Sequence, residues 1–102
     1  DVGSSFLVIR FYELFFVGDE QAGLPSQPPA QALRLAQCWL HDSSHNQLLD
    51  YIQEKSKRRQ ISPTLLIKLL PTLRQAIRNG QGDAAPFADP YYWAGFTHSG
   101  AL

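Results

Sequence analysis

Cysteine occurs once in the 102 residues, as Cys38. One thiol excludes an internal disulfide and fits a reducing compartment, so a cytoplasmic protein is expected. Neither sign of charge is in excess, with nine Lys and Arg against nine Asp and Glu. A neutral chain has no global field to recruit nucleic acid or an anionic membrane, and neither is expected as a partner. Long apolar runs are missing too. The densest, Phe6 to Val17, covers about twelve residues where a bilayer span needs ~20. No basic, apolar leader opens the chain, so nothing points to secretion. There is no Gly-rich phosphate loop, no pair of catalytic carboxylates and no Ser/His/Asp arrangement. No cofactor is expected. The hydrophobic share, 44%, suffices for a modest core in one domain or part of one.

What is present reads mainly as helix. Phe6 to Val17 is interrupted only by Arg10 and Glu13, three apart and so on one side of a helix. Such a helix is buried around most of its circumference. Asp1 or Ser4 caps its start and Gly18 ends it. Residues 18 to 29 hold Gly18, Gly23, Pro25, Pro28 and Pro29 beside Asp19 and Glu20, which is loop chemistry. A second helix is expected from Pro29 to His41, with Ala32, Leu33, Leu35, Ala36, Trp39 and Leu40 on one face and Arg34, Cys38 and His41 towards the other. A third runs from about His45 to Arg59 with Leu48, Leu49 and Ile52 inward. A fourth opens at Ser62-Pro63 and stops at Asn79-Gly80. Pro71 lies inside it and is expected to kink or split it.

The last stretch differs. Pro86 to Phe96 holds five of the twelve aromatic Phe, Trp and Tyr residues, and Tyr91-Tyr92-Trp93 favours a pleated surface. Tyr91 to Thr97 therefore reads as one β-strand entered through a proline turn. A lone strand needs a sheet to join, and these residues supply none. The expected fold class is an α/β fragment with about four helices and one C-terminal strand. The start at Asp1 without a methionine suits the same reading, and the isolated chain is expected to be unstable, molten or prone to aggregate.

Individual side chains carry little chemistry on their own. Cys38 sits mid-helix, away from the helix N-terminus, so the dipole does not favour its thiolate. It reads as an inert helix cysteine even with His41 three residues on. His41 and His45 are four apart, a spacing that can serve a metal on a helix, but Asp42-Ser43-Ser44 breaks the helix between them, and no metal site is expected. Lys55 to Arg59 could touch phosphate, yet net neutrality and the absence of interleaved aromatics favour a solvated helix C-terminus. Tyr91, Tyr92 and Trp93 read as core packing rather than a stacking platform.

Three stretches together resemble one family. They are D-V-G-S-S-F-L-V-I-R-F-Y-E-L (Asp1 to Leu14), P-P-A-Q-A-L-R-L-A-Q-C-W-L-H-D (Pro28 to Asp42), and P-F-A-D-P-Y-Y-W-A-G-F (Pro86 to Phe96) followed by Ser99-Gly100. In this order they are similar to the C-terminal part of a CHAT domain, a caspase-like domain that travels with tetratricopeptide repeats in bacterial proteins. The resemblance implies an α/β/α sandwich in a cysteine peptidase clan related to separase. It also implies a His/Cys dyad on strand ends N-terminal to the region matched, so that 1–102 is an incomplete domain without its central sheet. No histidine here matches the catalytic one, Cys38 falls at a variable position, Asp89 stands where histidine is common, and His41 where arginine is common. On this reading the chain is a structural portion of a peptidase that cleaves a protein substrate, and alone it is inactive. The implied partners are a protein substrate or regulatory protein and tetratricopeptide repeats in the same polypeptide. The alternative is a non-catalytic interaction scaffold. Asp1 matches an acidic turn near the family's active-site edge and is the one candidate substrate-binding residue, with an ordinary N-cap as its simpler role.

Overall fold

The computed structural model describes residues 1–93. Four helices follow one another: α1 Val2–Phe16, α2 Pro29–Asp42, α3 His45–Lys57 and α4 Pro63–Arg78. They divide between two compact units. The first contains Asp1–Asp42 together with the chain from Phe87, and the second is Ser43–Pro86.

In the first unit α1 packs on α2. Asp1 is the N-cap of α1, its carboxylate accepting from the Ser4 amide at 2.7 Å. Phe6 and Leu14 are fully buried, as are Ala32, Ala36 and Leu40 of α2. The two alanines let the helix backbones approach closely, and Phe6 meets the Trp39 ring at 6.4 Å. Each fully buried Leu or Phe side chain contributes roughly 1.5–3 kcal/mol. Gly18, with φ +91°, turns the chain out of α1. A two-way backbone pair between Asp19 and Leu24, at 2.7 and 2.8 Å, closes the following loop. The Gln27 amide then donates to the Leu14 carbonyl at 2.8 Å, tying the loop to α1.

In the second unit α3 packs on α4, and Leu48, Ile52, Leu69 and Leu73 form the core. Ser44 and Gln47 make a reciprocal capping box at the start of α3. Ser62 caps α4 through the Leu65 amide, with Pro63 in the first turn. The loop after α4 folds back on the start of α3, where the Gly82 and Ala84 carbonyls accept from the Asn46 and His45 amides, both at 3.0 Å. Two of the donors that a helix start leaves unpaired are thereby satisfied.

One expectation is corrected and another is narrowed. The fold class is not α/β: the described residues are helical and contain no strand or sheet. The expected strand at Tyr91 to Thr97 begins instead as a helical turn at 90–93, and Ala94 to Thr97 lie outside the described residues. The cause is local. Asp89 caps the turn, its carboxylate accepting from the Tyr91 amide at 2.8 Å and its carbonyl from the Tyr92 amide at 3.1 Å. Pro90 stands at the first helical position, where its missing N–H costs nothing. Cap and proline outweigh the β-propensity of Tyr-Tyr-Trp. Of the two outcomes expected at Pro71, a kink or a split, the split does not occur, since α4 runs through Pro71 as one helix. The carbonyl that loses its partner belongs to Ile67, on a face where Ile67 and Pro71 are both exposed and water can serve it.

Candidate functional site

The most developed polar constellation is centred on Arg10, which is only 8% exposed. Its Nη1 donates to Glu13 Oε1 at 2.6 Å and its Nη2 approaches Asp19 Oδ2 at 2.9 Å. The guanidinium lies 5.3 Å from the Trp39 ring centroid. One helix turn supplies Glu13, the closed loop supplies Asp19, and α2 supplies the aromatic face. Asp19 Oδ1 also accepts from the amides of Gln21 and Ala22. Burial pushes the Asp19 carboxyl up, but the hydrogen bond and charge of Arg10 and the two amides outweigh it, and the group sits below its ordinary range. Chemically this is a clamp holding three segments together, and it presents no nucleophile. The R-F-Y-E stretch announced Arg10 and Glu13. It did not announce Asp19 or Trp39, although an arginine inside an apolar run calls for a counter-charge and the acids just after the helix were the nearest.

A groove of about 290 Å³ lies beside α2, lined by Arg34, Gln37, Cys38, His41, Asp42 and Trp93. The exposed residues Arg34, Cys38 and His41 share the outer face of α2, as their spacing implied. His41 Nδ1 is 2.8 Å from Asp42 Oδ1, and the His41 ring lies 6.3 Å from Trp93. The groove walls are mainly apolar. Cys38 is a free, exposed thiol in the second half of α2.

His41 bonds Asp42 in the first unit, His45 Nδ1 contacts the Gln81 carbonyl at 2.7 Å in the second, and His98 lies outside the described residues. Among the described residues no three His, Cys, Asp or Glu side chains are grouped to hold a metal. Of the aromatic trio, Tyr91 is 89% exposed, whereas Tyr92 and Trp93 are half-buried. Trp93 Nε1 donates to the Phe87 carbonyl at 2.6 Å and Tyr92 packs on Phe87 at 5.1 Å. Burial raises the Tyr92 phenol above its ordinary value, with the Ser4 side chain partly offsetting it. Asp1 holds the start of α1, the cap role expected of it. No helix of the described residues is long and apolar enough to cross a membrane.

Comparison with curated proteins and with solved structures finds no match. A comparison with protein families does: the CHAT domain model matches residues 3–101, nearly the whole chain. The match spans the α1 clamp, the α2 face and the turn after Pro86, the three stretches whose geometry is described above. The chain belongs to the CHAT domain family.

Proposed function

We propose that this chain is a structural, helical portion of a CHAT domain whose full-length protein cleaves a protein substrate. Thiolate attack on a peptide carbonyl, with a histidine as base, would use a dyad supplied outside these residues. The observation that carries the reading is the family match over residues 3–101, combined with a cysteine in the second half of α2, away from that helix's own N-terminus. CHAT domains are associated with tetratricopeptide-repeat proteins, and the proposed setting is a cytoplasmic protein with such repeats in the same polypeptide. The substrate or a regulatory protein would be the partner. In this setting the Arg10 clamp and the α1–α2 pair give the catalytic part a fixed neighbour. Asp1, at the first turn of α1, is proposed to border the substrate pocket in addition to its cap role.

The test uses the full-length protein. A thiol-directed inhibitor should block cleavage by modifying a cysteine other than Cys38, and Cys38→Ala should leave cleavage largely intact. Loss of cleavage in Cys38→Ala with the fold preserved would overturn the assignment. Absence of any thiol-dependent cleavage would favour the non-catalytic scaffold. Asp1→Asn keeps a capping side chain, so a large fall in cleavage of a substrate with a basic residue at the cut, without a fall in stability, would support the pocket role.

A further inference from the structure

The chain has two asparagines, and they sit in unlike settings. Asn46 is followed by Gln47, and its side chain donates to Asp83 Oδ1 at 3.2 Å. Asn79 is followed by Gly80. It is the exposed C-cap of α4, and its Oδ1 accepts from exposed Gln75 Nε2 at 3.3 Å. An asparagine carboxamide carbon is an electrophile one peptide away from the backbone nitrogen of the next residue. Glycine hinders that approach least, since it has no Cβ. A Cβ at Gly80 would meet nothing within 4 Å, so the surroundings do not obstruct a ring there either.

The folded backbone holds the reaction back. Asn79 lies at φ −83° and ψ 9°. The Gly80 amide donates to the Ile77 carbonyl at 3.0 Å and the Gln81 amide to the Ala76 carbonyl at 2.9 Å. These are the two bonds of a Schellman end. Ring closure needs ψ of Asn79 to turn and the Gly80 nitrogen to be released from Ile77, so it proceeds only while this last turn is open. Gln75, Arg78, Asn79 and Gly80 are all exposed, and an exposed helix end opens at little cost.

We propose that Asn79 is a site of spontaneous deamidation, paced by opening of the last turn of α4, and that its isoaspartyl product releases the loop that clasps the start of α3. The Gly80 nitrogen attacks Asn79 Cγ, the bond from Cγ to the side-chain nitrogen breaks, and ammonia leaves with the Gly80 proton. Water then opens the succinimide. Opening at the side-chain carbonyl gives aspartate in an unaltered backbone. Opening at the main-chain carbonyl gives isoaspartate, whose backbone runs through Cβ and is one methylene longer. In sum an amide and water become a carboxylate and ammonium, with no oxidant or cofactor. The new carboxylate stands at a helix C-terminus, where negative charge is disfavoured, and the extra methylene displaces both Schellman donors. The clasp begins directly afterwards. The Gln81 carbonyl accepts from His45 Nδ1 at 2.7 Å, and the Gly82 and Ala84 carbonyls accept from the Asn46 and His45 amides. The proposal is independent of whether the domain cleaves peptides.

The test incubates the full-length protein at mildly alkaline pH, folded and in urea. Peptide mapping separates the asparagine, aspartate and isoaspartate forms. The folded protein should convert Asn79 severalfold more slowly than the unfolded one, with isoaspartate in excess, while Asn46 keeps its amide. Gln75→Gly weakens the last turn from an exposed position and should speed conversion in the folded protein about fivefold, leaving the rate in urea unchanged. Hydrogen exchange of the amides at the start of α3 should be severalfold faster in the isoaspartyl protein than in fresh protein. Asn79→Gln should show neither conversion nor that change on incubation. The site is refuted if the folded protein retains Asn79 after the unfolded protein has lost it completely. Equal rates folded and unfolded, or no effect of Gln75→Gly, would refute the pacing by the last turn. Unchanged exchange in the isoaspartyl protein would refute release of the clasp.

Discussion

Arg10 shows how one side chain fixes several segments. It is buried, paired with Glu13 and Asp19 and laid against Trp39, so its removal leaves two carboxylates facing one another in a mostly enclosed place. Arg10→Ala is expected to cost about 2–4 kcal/mol, because breaking such a pair strands the remaining charge. Arg10→Lys should recover only part of this, since an ammonium cannot fork to both acids while stacking on indole. Denaturant titration of the three proteins checks the order. The same clamp sets an acid limit. Asp19 has a folded-state pKa below its unfolded one, so its contribution is fully present above the unfolded value and is lost as pH falls through the folded value. Stability should therefore decline below about pH 4, and Asp19→Asn should lower stability at neutral pH while flattening that decline. An unchanged acid limb in the variant would show that other carboxylates set it.

The helices respond to changes at their ends and at one interior proline. Pro71 deprives the Ile67 carbonyl of its helical donor, and nothing buried depends on the ring, since Pro71 is exposed. Pro71→Ala should stabilise α4 by about 1 kcal/mol or more, the restored bond and better propensity exceeding the entropy returned to the unfolded chain. A lower thermal midpoint in the variant would contradict this. Gly3 behaves in the opposite way. A Cβ there would overlap the Tyr92 and Phe87 side chains, so Gly3→Ala should destabilise by about 1–3 kcal/mol through overpacking, read as a lower denaturation midpoint. These elements also show what the sequence could reveal. Ser62-Pro63 and Asn79-Gly80 marked both ends of α4 because caps act within a few residues. Asp89-Pro90 carries the same signal, and the aromatic run after it obscured the cap. The clamp was half legible: Glu13 is one turn from Arg10, but Asp19 reaches it only because Gly18 reverses the chain and Leu24 closes the loop. Trp39 arrives only through packing of α2 on α1, which no local spacing encodes.

At the scale of the whole molecule, α1 remains incompletely covered. Val8, Tyr12, Phe16 and Val17 are between 51% and 74% exposed. The first three recur every four residues and therefore line one face of the helix. Tyr12 stacks on Phe16 at 5.8 Å, so the face is continuous rather than a scatter of single side chains. Contiguous exposed apolar surface of this kind marks an interface or an aggregation hazard. The chain by itself should self-associate or populate a loosely packed state at micromolar concentration, visible as concentration-dependent sedimentation and weak near-ultraviolet dichroism from Trp39 and Trp93. Val8→Gln with Phe16→Gln should reduce the association without lowering helix content, because neither side chain is in the core. In the full-length protein the same residues should be protected from surface labelling. If the unmodified chain instead sediments as a monomer and unfolds cooperatively, the α1 face tolerates water, and the reading of this chain as a portion that needs a further part of its domain fails.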